Sequence, residues 1–109
     1  MTQFDDRERA VDASYTRDEE MQLRISARRN RLLGEWAARQ MGLNEAETES
    51  YAKDVIRADF EDAGEHDVIR KLLGDLIAAG ADCGEENIRE ALRNTEIEAR
   101  RQIIEASNS

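Results

Sequence analysis

Apolar positions recur along most of this chain at the 3.6-residue spacing of a helix, and glycines punctuate them. From about Arg17 to Met41 the stripe is Met21, Ile25, Leu32, Leu33, Trp36 and Ala37. Asp18, Glu19 and Glu20 place acids at its start, where the helix dipole favours negative charge, and Gly42 supplies a stop. Asn44 followed three residues on by Glu47 resembles an N-cap with a reciprocal acidic partner. It predicts a second helix running to about Glu61, with Ala52, Val55, Ile56 and Phe60 on one stripe. Gly64 separates this from a third segment, where Asp67 is the expected cap of a helix ending at Gly80. Its face is Val68, Ile69, Leu72, Leu73, Leu76 and Ile77, and as the most apolar segment it is expected to be the most buried. Gly84, Glu85 and Glu86 introduce a fourth, carried by Ile88, Ala91, Leu92, Ala99 and Ile103, with a terminal Ser-Asn-Ser expected to fray. Short connections make consecutive helices neighbours, so residues 17–109 are predicted to form one all-α four-helix bundle domain.

The first 16 residues read differently. MTQFDDRERAVDASYT has few large apolar residues, no glycine and no proline. Placed on a helix, Phe4, Val11 and Tyr15 are separated by seven and four residues and fall on one narrow stripe. Asp5, Asp6, Arg7, Glu8 and Arg9 occupy much of the rest. So short a helix is marginal alone in water. Residues 1–16 are therefore expected to be a mobile, partly helical N-terminal segment.

Composition agrees with helices. Aromatic residues make up 5% of the chain and charged residues 38%, against about 25% in ordinary globular chains, which suits solvated helices better than sheets. The net charge of −9 repels phosphate backbones, so no nucleic-acid partner is expected. The charge is uneven, however. Residues 21–43 hold one acid and five bases, while residues 44–67 hold nine acids and two bases. Cys83 is the sole cysteine, so no intramolecular disulfide forms. No apolar run approaches the length of a membrane span and the N-terminus has no leader-like core, which predicts a soluble intracellular protein with no direct membrane insertion.

Little here favours catalysis. His66 lies between Glu65 and Asp67 in a turn, where consecutive side chains diverge and no second histidine completes a metal site. Cys83 has no base near it in sequence, and no Glu-x-x-His pair or lysine-bearing phosphate loop is present. No catalytic residue, metal or required cofactor is expected. The basic stretch is more informative. Arg24, Arg28 and Arg31 advance by four and three residues and share a face, flanked by Arg29 and Asn30. Guanidinium forks suit carboxylates and phosphates alike. Pairing with the acidic second helix inside the protein is one reading, and an anion site for a nucleotide phosphate or an acidic patch on a partner is the other. Trp36, Tyr51 and Phe60 are assigned to packing.

The pieces FDDRERA, DEE, ARRNRLLGEWAARQMGL and YAKDVIRADFEDAGEHDVIRK resemble the zeta subunit family of bacterial F-type ATP synthases, small inhibitor proteins. The resemblance covers nearly the whole chain, is densest from Phe4 to Lys71 and weakens after Gly80. Its most specific pieces are the Phe-Asp-Asp-Arg opening and the Arg-Arg-Asn-Arg-Leu-Leu-Gly block with its Trp-Ala-Ala. It implies a four-helix bundle preceded by a mobile segment that enters the catalytic head of alpha, beta and gamma subunits at an alpha/beta interface. There the segment becomes helical and blocks rotation in the hydrolytic direction, with no chemistry of its own. By position, Phe4, Asp5, Asp6, Arg7, Glu8, Arg9, Val11 and Tyr15 would form the partner-binding segment. Arg28, Arg29, Asn30 and Arg31 are candidates for a weak ADP or ATP site associated with the family. The chain departs from the family's better-known inhibitory members, which tend to carry Phe where this sequence has Val11 and Tyr15. A missing ring at position 11 removes contact worth on the order of 1 kcal/mol, at roughly 25 cal/mol per Å².

The expected function is thus non-enzymatic inhibition of ATP hydrolysis by a chain that is monomeric when free and cytoplasmic. When bound to the synthase it would be peripheral at the inner face of the plasma membrane. An adenine-nucleotide-responsive sensor with little inhibition, and a plain helical scaffold, are the alternatives.

Overall fold

The computed structural model describes the backbone of residues 2–61 and 65–108 and the side chains of residues 17–58 and 65–108. Among the described residues there are four helices and no strand: α1 Thr2–Met41, α2 Glu45–Glu61, α3 Glu65–Ala78 and α4 Glu85–Asn108. The protein is an all-α four-helix fold.

The local signals set most of the helix ends. Asn44 and Glu47 cap α2 reciprocally: the Glu47 amide donates to Asn44 Oδ1 at 2.8 Å and the Asn44 amide donates to Glu47 Oε1 at 3.0 Å. Gly42, at φ +73°, ends α1 in a left-handed turn, with the Leu43 amide reaching back to the Ala38 carbonyl at 3.0 Å. Gly80 repeats this at φ +73°, with the Ala81 amide on the Leu76 carbonyl at 3.0 Å. Asn87 Oδ1 accepts from the Gly84 amide at 3.0 Å and fixes the start of α4.

Three boundaries differ from the sequence expectation. Helix α1 begins at Thr2 instead of near Arg17, so the acidic opening continues the same rod. Helix α3 starts at Glu65, which puts Asp67 inside its first turn; an acid at either place complements the dipole. Helix α4 runs through Asn108, into the expected fraying end.

One core joins all four helices. Leu33 and Ala37 of α1 meet Val55 of α2, Val68, Ile69, Leu72 and Leu76 of α3, and Ile88, Ala91 and Leu92 of α4. Each fully buried Leu or Ile contributes about 1.5–3 kcal/mol by leaving water. Trp36, Tyr51 and Leu73 pack half-buried against this cluster, as their assignment to packing requires, while the side chain of Phe60 lies outside the described residues. Ile77 is 64% exposed, contrary to its expected place on the apolar face. It stands one residue, about 100° of turn, past Leu76 in the final turns of α3, beyond the reach of the core.

Helix α1 is the spine, packing mainly against α2 and α4. Its 40 residues make a rod of about 60 Å at 1.5 Å per residue, matching the 63 Å long axis of the molecule. The 24-residue α4 covers only about 36 Å of that length.

Candidate functional site

The residues expected to bind a partner occupy the first half of α1. Phe4, Asp5, Asp6, Arg7, Glu8, Arg9, Val11 and Tyr15 all fall within the helical backbone of Thr2–Met41, and their side chains lie outside the described residues. By helical register, positions 4, 11 and 15 share a sector of about 40°. Continuing the count, Ile25, Arg29, Leu33 and Ala37 of the buried stripe lie in or beside that sector. By register alone, positions 4, 11 and 15 thus continue the line of the buried stripe of α1.

The basic stretch sits on the spine between α2 and α4, and its arginines part company. Arg31 turns to α2, where its Nη2 donates to Glu49 Oε2 at 2.6 Å and its Nε lies 3.2 Å from Glu35 Oε1. The hydrogen bond to Glu49, then the charge of Glu49 and of Glu35, raise its pKa above the ordinary arginine value. Arg28 turns to α4 and donates to Gln102 Oε1 at 2.5 Å. Arg24 is exposed. The common face read from the sequence is thus spread over two neighbours.

Arg29 and Asn30 lie inside. Arg29 is 6% exposed, and its Nη1 approaches Glu96 of α4 at 3.5 Å and Glu65 of α3 at 3.9 Å. Its Nε donates to Asn30 Oδ1 at 3.0 Å, a bond that fixes the orientation of the Asn30 amide. Asn30 Nδ2 is then a buried donor with no acceptor among the described residues. Such a group costs about 1–3 kcal/mol unless something meets it. The periodicity held the signal for Arg29's burial, since it stands four residues from both Ile25 and Leu33.

A second polar cluster ties α2 to α3. Tyr51 Oη donates to Asp75 Oδ2 at 2.7 Å, and Lys71 Nζ donates to the same oxygen at 3.1 Å from a position 5.3 Å off the Tyr51 ring centre. Burial first, then the hydrogen bond to Asp75, push the Tyr51 phenol well above its ordinary pKa. On α4, Glu98 is held below the usual carboxylate range by hydrogen bonds from Arg101 and then Gln102.

Trp36 walls a cleft of about 450 Å³ between α1 and α4, with Leu32, Arg39, Glu90 and Asn94. His66 is exposed at the start of α3. Among the described residues no three His, Cys, Asp or Glu side chains converge as metal ligands. The Cys83 thiol donates to Gln40 Oε1 at 3.5 Å. No helix of the described residues is long and apolar enough to cross a membrane.

No curated protein matches this chain. A protein solved by solution NMR is 38% identical, with a TM-score of 0.69, over 79% of this chain and 98% of its own. The family model described as ATPase inhibitor subunit zeta matches residues 1–102, taking in the acidic opening of α1, the Arg-Arg-Asn-Arg block, the bundle and most of α4. This chain, with its all-helical fold and prolonged first helix, belongs to the ATPase inhibitor subunit zeta family.

Proposed function

We propose that this chain is a non-enzymatic inhibitor of F-type ATP synthase, acting through residues Phe4 to Tyr15. In this reading residues 1–16 insert at a catalytic alpha/beta interface of the head, beside gamma, and block rotation in the hydrolytic direction. Residues 17–109 are the folded body that carries them. The observation that supports it is the family match over residues 1–102, which includes the segment itself. The physics of the segment agrees. A narrow apolar stripe set among Asp5, Asp6, Arg7, Glu8 and Arg9 fits a groove that buries the stripe while its walls read the charges. Ordering about a dozen residues costs conformational entropy, and the extension of α1 as one helix from Thr2 lowers that cost. The free chain is a cytoplasmic monomer, peripheral at the inner face of the plasma membrane when bound to the synthase.

The test adds the purified chain to the cognate enzyme and follows hydrolysis and synthesis separately. Slower hydrolysis with spared synthesis is expected, and equal slowing of both would contradict a directional block.

A nucleotide-responsive regulator is the second reading. It is favoured by the buried Nδ2 of Asn30, which has no hydrogen-bond partner among the described residues, beside Arg29. ADP or ATP would bind weakly near Arg28, Arg29, Asn30 and Arg31 and bias the segment. Amide shifts at these residues during an ADP titration are expected, and none at millimolar ligand would dismiss the reading.

A further inference from the structure

Among the described residues, Arg29 and Asn30 are the buried polar side chains, and they lie near the end of the buried part of α1. The core cluster begins on α1 at Leu33. Ile25, one turn before Arg29, is the first buried side chain described on α1, and Glu65 is the first residue of α3. Residues 2–24, about 35 Å of helix, project beyond this polar layer. One guanidinium joins three helices there. Arg29 Nε donates to Asn30 Oδ1 on its own helix at 3.0 Å, while Nη1 lies 3.5 Å from Glu96 on α4 and 3.9 Å from Glu65 on α3. Glu96 is shared with Arg100, at 3.1 Å.

Stability does not account for this layer. Apolar side chains of matching size would leave neither a desolvated charge nor the unmet Asn30 amide donor. What the layer adds is direction. Apolar contacts are non-directional, so Leu33 and Ile25 resist separation of α1 from its neighbours without fixing its angle. A guanidinium carries its donors in a fixed plane, and its bonds hold one setting of α1, α3 and α4. A single buried polar side chain sets register between paired helices in the same way.

We propose that Arg29, oriented by Asn30 and held by Glu96 and Glu65, is a positioning residue that sets the direction in which the first half of α1 leaves the bundle, and so points residues Phe4 to Tyr15 at their groove. This rests on the inhibitory reading above. The lever is long. The middle of that segment lies about 30 Å from Arg29 along the helix, so a tilt of about 10° moves it about 5 Å, close to one helical pitch. A displacement of that size takes the segment out of register with a groove that the rest of the chain still reaches.

The experiment uses the full chain carrying Arg29→Met with Asn30→Leu, which fills the layer with apolar side chains, or Glu96→Ala, which removes the hold on α4. Thermal melting, amide residual dipolar couplings of the free chain and ATP hydrolysis by the cognate head are measured on each. The double variant should melt at or above the parent temperature. Parent couplings of α1 and α4 should fit one alignment, and those of residues 2–24 should be scaled down in the double variant. Its half-inhibitory concentration should rise about tenfold, as follows when the competent direction falls to about a tenth of the population. Glu96→Ala should move couplings and inhibition the same way by a smaller factor. Parent-like inhibition by a stable double variant overturns the proposal, whatever its couplings. Weaker inhibition with a lowered melting temperature and unchanged couplings overturns it too, since Arg29 would then only stabilise the bundle. If the double variant does not fold, unchanged couplings in Glu96→Ala overturn it. A parent chain that does not inhibit fails the proposed function, whereas the hold of Arg29 on α1 is read from the couplings of the free chain.

Discussion

Gly34 of α1 stands so close to Ala52 of α2 that a methyl group on Gly34 would lie 2.8 Å from the Ala52 Cα. The neighbour is backbone, with Val55 Cγ2 at 3.3 Å behind it, so neither helix can yield without moving apart. This contact sets the distance between the two helices and gives the glycine of the Arg-Arg-Asn-Arg-Leu-Leu-Gly block its physical reason.

Gly34→Ala should therefore destabilise the bundle. Better helix propensity returns up to about 1 kcal/mol, while overpacking against backbone costs about 1–3 kcal/mol. A net loss of about 1–2 kcal/mol is expected in urea denaturation, and a stabilised variant would show that the helices can separate freely.

The arginines divide by burial. Arg29→Ala removes a buried guanidinium that binds Asn30 and approaches Glu65 and Glu96, and should cost about 1–3 kcal/mol. Arg31→Ala breaks pairs with Glu35 and Glu49 in solvent and should cost under about 1 kcal/mol. Denaturation of the two variants side by side checks the order, and equal losses would contradict it.

The helix ends near Asn44 and Gly80 were legible because their signals are local. A cap and its partner lie three residues apart, and a left-handed glycine announces itself. The start of α1 was not, since residues 2–16 carry too thin an apolar stripe for periodicity to mark them as part of the spine. A charged residue in an apolar stripe reads as solvated, which hid the burial of Arg29 despite its spacing from Ile25 and Leu33. The divergence of Arg28 and Arg31 was beyond the sequence, because it depends on which neighbour flanks each side of α1.

Tyr51 gives the protein an alkaline limit. Its phenol is protonated in the fold at pH values where the unfolded chain ionises, near pH 10. The folded state then binds more protons than the unfolded one, so the stabilisation is complete below about pH 10 and is lost as pH rises toward the folded value. Melting temperature should fall above about pH 10, and Tyr51→Phe should flatten that fall while losing about 1 kcal/mol at neutral pH with the Asp75 hydrogen bond. An equally steep alkaline fall in Tyr51→Phe would assign it to other groups.

In the proposed function the opening of α1 acts on the enzyme and the bundle carries it. Among the described side chains, the core cluster that joins the four helices runs from Leu33 to Leu92. The most direct measurement is ATP hydrolysis by the cognate synthase head in the presence of the full chain or of the chain lacking residues 1–16, with helicity followed by circular dichroism. The shortened chain is expected to stay folded and no longer slow hydrolysis; undiminished inhibition by it would contradict an inhibitory role for residues 1–16.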